Sequence, residues 1–279
     1  MGLRGILSRR RGCRTAAAAV AASLLGVAAG AQGVQPFADD REFQSVWLVQ
    51  PSDAPLGPRT LEDSDFVYKQ RLVPPTLVRV KADAVDPQSK KVIVPSGSQL
   101  FGVLTSGPPI YCLAGVRDAS VMKSLLIGGG NRQVCLVDSD RDGALDGHFG
   151  VGNAIKGLPN ISGKRPKKLK PLAPAAFETL APEAIAIPYF VGVKYEGIVG
   201  LALKNKTPVF SVVFGTDESS EMLTGQIRPV EDSDPMLVKV LGAEFAVTER
   251  RDRTLSVDVR SAIPPQPFGV VQTVTYRTY

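Results

Sequence analysis

From Phe66 onward, apolar and polar residues alternate in short runs with a period of two. In "FVGVKYEG", Val191, Val193 and Tyr195 alternate with Gly192, Lys194 and Glu196. In "TLSVDV", Leu255, Val257 and Val259 alternate with Thr254, Ser256 and Asp258. Successive side chains of an extended chain point to opposite faces, so this pattern predicts antiparallel strands with one face on a core and one in water. "FVYKQRLV" (66–73), "TLVRVKA" (76–82), "PVFSVVFG" (208–215), "MLVKVLG" (236–242) and "VVQTVTYRTY" (270–279) are rich in β-branched and aromatic residues, which suit a pleated, half-buried surface. "EFQSVWLVQP" (42–51), with the chain's single tryptophan, also reads as a strand.

Punctuation divides these runs. Pro74-Pro75 makes a bend, and "KVIVPSGSQLFGVLTSG" (91–107) reads as strand, turn at Pro95-Ser96-Gly97, strand. "PIYCLAG" (109–115) follows as a strand, and "VMKSLLIGGGNRQVCLV" (121–137) as two strands around a turn at Gly128–Asn131. No stretch sustains a helical period, and no fixed-length repeat occurs. The expectation is a mainly β fold of antiparallel sheets, a sandwich or small barrel.

Two segments break the pattern. "PSDAPLGPRTLEDSD" (51–65) is rich in Pro, Asp and Ser and reads as loop. The stretch 161–188 carries Lys164, Arg165, Lys167, Lys168 and Lys170, then Pro171, Pro174, Pro182 and Pro188. Prolines remove backbone donors and fix φ, so a connection is expected there, with one helical turn near Phe177–Leu180. The organisation that follows is an irregular segment 32–64, a β-rich domain 65–160, the connection 161–188 and a β-rich half 189–279. The basic cluster reads as a solvated linker; its other reading is contact with an acidic partner or lipid headgroups.

Residues 1–31 stand apart. Arg4, Arg9, Arg10, Arg11 and Arg14 precede an uncharged run from Thr15 to Ala31, which ends in Ala29-Gly30-Ala31. A basic head, a short apolar middle and small residues before the cut describe a cleaved secretory signal, with cleavage near Ala31/Gln32. Ser8-Arg9-Arg10 also resembles a twin-arginine export signal, and an acid-free, Arg- and Ala-rich leader also suits an organelle transit peptide. The export reading places the mature protein in the periplasm or outside the cell. It also changes the charge argument. The whole chain is at +6, but removing five arginines and no acids leaves the mature chain at +1. The basic balance therefore belongs to the leader and gives no case for nucleic acid. No later stretch is long and apolar enough for a helical transmembrane segment. Cys13 leaves with the leader, and Cys112 and Cys135 remain. In an oxidising compartment such a pair is expected as a disulfide, the alternative being two buried thiols.

The densest chemistry lies in "VCLVDSDRDGALDGHFG" (134–150). Counting from Asp138, aspartates occupy positions 1, 3, 5 and 9 (Asp138, Asp140, Asp142, Asp146), with Gly143 at position 6. Calcium takes six to eight oxygens at about 2.3–2.6 Å, and alternating aspartates on a tight turn can supply several of them. The D-x-D-x-D-G order resembles the calcium loops of EF-hands, dockerins and thrombospondin type 3 repeats. That resemblance implies ligands from Asp138, Asp140, Asp142, the backbone carbonyl of Ala144, and Asp146. It departs from the EF-hand at position 12, where Phe149 replaces the bidentate acid, and strand-like flanks replace the helices. The same residues also suit an acidic turn whose carboxylates cap backbone amides, so a bound calcium and a plain turn both stay open.

Other constellations are poor. His148 is the sole histidine, so zinc would need it with Cys112 and Cys135, and a Ser-His-Asp triad would need it with a serine elbow that is absent. It reads as a polar turn residue. "VIVPSGSQLFGVL" (92–104) is similar to the Pro-x-Gly-Ser hairpin in the β-domain of outer-membrane channel proteins of type IV secretion systems, and in β-clip modules. That similarity implies a β-module on the envelope side. The function expected is an exported, non-catalytic structural, assembly or binding module of the cell envelope, with an envelope protein or glycan as partner. The alternative is a secreted or periplasmic hydrolase using loop carboxylates.

Overall fold

The computed structural model describes residues 37–52, 56–115, 132–152, 159–199, 207–217, 220–223, 227–229, 234–249 and 254–269. The leader 1–31, the strand expected within 121–131 and the strand expected at 270–279 lie outside the described residues. In chain order the strands are β1 (Glu42–Gln44), β2 (Trp47–Val49), β3 (Gly57–Leu61), β4 (Phe66–Val73), β5 (Leu77–Val80), β6 (Ala84–Val85), β7 (Val92–Val94), β8 (Gln99–Gly102), β9 (Leu104–Thr105), β10 (Ile110–Leu113), β11 (Arg132–Val137), β12 (Ala144–Gly152), β13 (Ser162–Lys164), β14 (Lys170–Leu180), β15 (Tyr189–Val199), β16 (Thr207–Gly215), β17 (Ser220–Met222), β18 (Met236–Val240), β19 (Ala243–Glu249), β20 (Leu255–Ser261) and β21 (Pro267–Phe268). One 3-10 turn spans Pro182–Ala184, and the described residues contain no α-helix. The fold is mainly β and its pairings are antiparallel, as the period-two pattern predicts.

Six strands close into a barrel in the order β10-β11-β12-β14-β5-β8. Beside it lie a six-stranded sheet (β17-β16-β15-β4-β2-β21), a four-stranded sheet (β18-β19-β20-β3) and two small sheets (β13-β1-β9 and β6-β7). Side-chain alternation gives the barrel wall two apolar faces. Val78, Val80, Leu100, Leu136, Leu145 and Leu172 form one buried cluster, joined by Tyr111 and Phe177. Every strand of the barrel contributes to that cluster, and Tyr111 on β10 meets Phe177 on β14, a strand it does not pair with, at 5.4 Å between ring centres. These residues therefore fill the barrel interior. Their neighbours Leu77, Phe101, Cys112, Cys135 and Phe149 face outward into a second, larger core shared with the sheets. Trp47 joins the two bodies, with ring centres 5.4 Å from Phe101 of the barrel and 4.9 Å from Tyr189 of the six-stranded sheet.

Two expectations are corrected. The stretch 161–188, read as a connection, holds β13 and the eleven-residue β14. Its residues Phe177–Leu180, read as a helical turn, pair with Val80–Leu77 of β5. Proline alone does not forbid this. Lys170, Pro171, Ala175 and Ala176 pair with β12, residues 172–174 fall in its register shift, and Phe177–Leu180 pair with β5. Pro171 and Pro174 thus sit in the half that bonds along one edge, where a missing N–H is tolerated. The second correction is β3, inside the loop expected at 51–65: Gly57–Leu61 pair with Val259–Leu255. Likewise β4 pairs with β15, so strands from both sides of 161–188 share sheets.

Cys112 and Cys135 lie directly opposite each other on β10 and β11, joined by a disulfide of 2.03 Å. The bridge spans 23 residues of chain, which on the chain-entropy account stabilises by about 3 kcal/mol. A Cys112→Ala/Cys135→Ala variant is expected to lose that amount in a urea titration, with a somewhat steeper slope because the unlinked unfolded chain exposes more surface.

Candidate functional site

The acidic loop is the tip of the β11–β12 hairpin. β11 ends at Val137, Asp138–Gly143 turn, and β12 begins at Ala144. Two residues hold left-handed backbone: Arg141 at φ 63° and Gly143 at φ 88°. Glycine adopts that conformation freely, which explains it at position 143. The disulfide partner Cys135 lies three residues before Asp138, and the amide of Asp138 donates to the carbonyl of Pro109 at 3.2 Å. The tip is therefore tied to the β9–β10 connection.

One carboxylate oxygen from each of Asp138, Asp140 and Asp142 lies within 4.8 Å of the others. Asp138 is buried, at 4% exposure, whereas Asp140 and Asp142 face solvent. Backbone amides hold all three. Asp142 N–H and Gly143 N–H donate to the two oxygens of Asp138 at 3.1 and 3.2 Å. Asp142 N–H also reaches Asp140 at 3.3 Å, and Ala144 N–H donates to Asp142 at 2.8 Å. Such a trio can hold a hard cation, with nothing in the geometry specific to calcium. Asp146 is placed differently: its Oδ1 accepts from Ser139 N–H at 3.1 Å. The Arg141 guanidinium donates to the Gly107 carbonyl at 3.2 Å and so braces the tip from outside. At position 12, Phe149 packs edge-on against Phe43 in the core, 5.6 Å between centres.

His148 is corrected from a turn residue to a strand residue. It lies within β12, opposite Leu136 on one side and Lys170 on the other, and is 8% exposed. Its Nε2 has no hydrogen-bond partner. Burial first, then the positive charge of Lys170, hold its pKa below the ordinary histidine range, while Asp86 acts in the opposite sense. A zinc site with Cys112 and Cys135 is removed, since those sulfurs are bonded to each other.

The basic run divides by function. Lys164 pairs with Glu42 at 3.0 Å and Asp39 at 3.4 Å, and Arg165 with Asp40 at 3.5 Å. These contacts fasten β13 to the chain around β1. The hydrogen bond from Lys164 holds the Glu42 carboxyl below its usual range, and Arg41 does the same to Asp39. Lys168 and Lys170 instead line a cavity of about 470 Å³ together with Lys91 and His148. Sequence reasoning did not find that cavity. The lysines of 164–170 were visible, but their division depends on the register between β12 and β14, which no local pattern states.

Comparison with protein-family models, with curated proteins and with solved structures finds no match to this chain.

Asp138 is the structural member of the trio, because it is buried and both its oxygens accept backbone bonds. Asn has one acceptor oxygen and would cost Asp142 or Gly143 its bond to this buried side chain. Asp138→Asn is expected to cost about 1–2 kcal/mol in EGTA, measured by denaturant unfolding, while Asp140→Asn is close to neutral under the same conditions.

Proposed function

We propose that this chain is an exported, non-catalytic β-module of the cell envelope whose hairpin tip binds calcium as a structural ion. The observation that carries the reading is the Asp138–Asp140–Asp142 trio on a tip anchored by a disulfide. A disulfide fits an oxidising compartment outside the cytoplasm. Among the described residues no helix is long and apolar enough to cross a membrane, a statement that leaves strands aside. The ion holds the tip by neutralising three carboxylates that otherwise repel at short range, and its other oxygens come from water or backbone. The partner on this reading is an envelope protein or glycan.

Export is tested by N-terminal sequencing of protein recovered from an expressing bacterium. The expected mature start is Gln32 in the periplasmic or culture fraction. A full-length chain kept in the cytoplasm overturns the export reading.

The ion is tested by melting. A ligand that binds only the native state raises the midpoint, and at about a hundred times its Kd it contributes about 2.7 kcal/mol. Millimolar calcium is expected to raise the midpoint by several degrees, EGTA to reverse the rise, and Asp140→Asn/Asp142→Asn to abolish it. A midpoint that ignores calcium sinks the reading, and a larger rise with magnesium reassigns the ion.

A further inference from the structure

The cavity beside His148 has a composition that the envelope reading does not use. It opens at the barrel wall between β7, the β11–β12 hairpin and the segment entering β14. Three lysines line it, Lys91, Lys168 and Lys170, and no acidic residue does. Among the described residues none of the three has an ion-pair partner, although Lys164 and Arg165 of the same run are both paired. The nearby acid Asp86 is engaged locally: its Oδ1 accepts from Gln88 N–H at 2.8 Å and Ser89 N–H at 2.9 Å. Like charges gathered in a concavity repel, and low-dielectric walls concentrate their field on whatever anion enters.

The rest of the lining narrows the ligand. Ile93 and Val134 give the cavity an apolar wall, and His148 contributes a ring that is 8% exposed, with Nε2 lacking a partner. The volume, about 470 Å³, suits a small organic molecule better than a bare ion. All three lining cations are lysines. Arginine's planar fork matches a carboxylate, whereas three separate ammoniums act as point charges that can surround a tetrahedral dianion. We propose that this cavity binds a small organic phosphate, its phosphoryl group held by Lys91, Lys168 and Lys170 and its apolar body against Ile93 and Val134. The site is independent of calcium and of export, and it gives the module a ligand class.

The chain's single histidine makes the test site-specific, because untagged protein shows one set of imbidazole ring signals. Phenyl phosphate is titrated into the protein in EGTA while the imidazole Cε1–H resonance is followed by proton NMR. A saturable shift is expected, weakened about tenfold or more by Lys168→Gln/Lys170→Gln and unchanged by Lys167→Gln, which alters the same basic run at a residue outside the lining. Raised salt is expected to weaken it as well. Inorganic phosphate and vesicles of phosphatidylglycerol in phosphatidylcholine supply the source arms. Saturation by phosphate alone at equal affinity marks the free ion as sufficient, and lysine-dependent vesicle binding marks a lipid headgroup; either supports phosphoryl recognition. No saturable shift up to about 10 mM phenyl phosphate overturns the proposal, as does equal weakening by Lys167→Gln. A variant with an unaltered melting midpoint and unaltered affinity at Lys168 and Lys170 overturns it too.

Discussion

β14 bonds through its first half to β12 and through its second half to β5. Without that exchange of partners the other five barrel strands would form an open sheet with two free edges, exposing rows of unmet backbone groups. The exchange happens in the most proline-rich part of the chain. Pro171 pairs along one edge, opposite Gly147, and Pro174 falls in the register shift that the pairing with β12 absorbs between Leu145 and Gly147. Leu169, just before β14, passes so close to Gly147 that a Cβ there would meet its Cδ1 at 2.8 Å. Closure, the bulge and the glycine are thus one constraint, and it fixes where Lys168 and Lys170 emerge.

Barrel and sheets are held together by the larger core, and its polar members are the informative ones. Tyr189 reaches from β15 to donate its hydroxyl to Ala114 at 2.6 Å, just past the end of β10. Gln70, buried on β4, donates to the carbonyls of Gln50 and Ile263 and accepts from Ile263 N–H. That side chain ties residues 193 positions apart, and because its amide is satisfied, its burial carries little penalty. Trp47 gains its place by packing alone: it touches Phe101, Tyr189 and Phe214, and its Nε1 has no partner.

Strand positions were legible where one face met a core and the other met water. Leu255, Val257 and Val259 are buried while Ser256 and Asp258 are not, as their alternation requires. Legibility failed where backbone pairing rather than side-chain contrast makes the strand. Gly57–Leu61 bonds to β20 with a nearly polar sequence, and β14 hides behind its prolines. The candidate site divides in the same way. The aspartate trio is local in sequence, so spacing alone brought Asp138, Asp140 and Asp142 together, while Asp146 was drawn off by Ser139. His148 and Lys170 are 22 positions apart and adjacent only through register, so no spacing rule could join them.

The β11–β12 hairpin therefore runs between opposite charges, its own at the tip and its neighbours' further along. Aspartates crowd the tip, and the cationic cavity lies further along, beside Val134, His148 and Gly150. Val134 is four residues from Asp138, about 13 Å along an extended strand, but His148 lies opposite Leu136, only two residues or about 7 Å from Asp138. At a Debye length of about 8 Å at physiological salt, the far end of the cavity is largely screened from the tip, while the near end is not. Mechanical coupling is limited by the disulfide of Cys135, which fixes β11 to β10 alongside the cavity. A cation at the tip and an anion in the cavity would then occupy separate sites whose fields overlap at the near end. At low ionic strength the screening weakens, and each empty site repels the other's ligand, the aspartates an anion and the lysines a cation, so filling one site relieves the repulsion felt at the other.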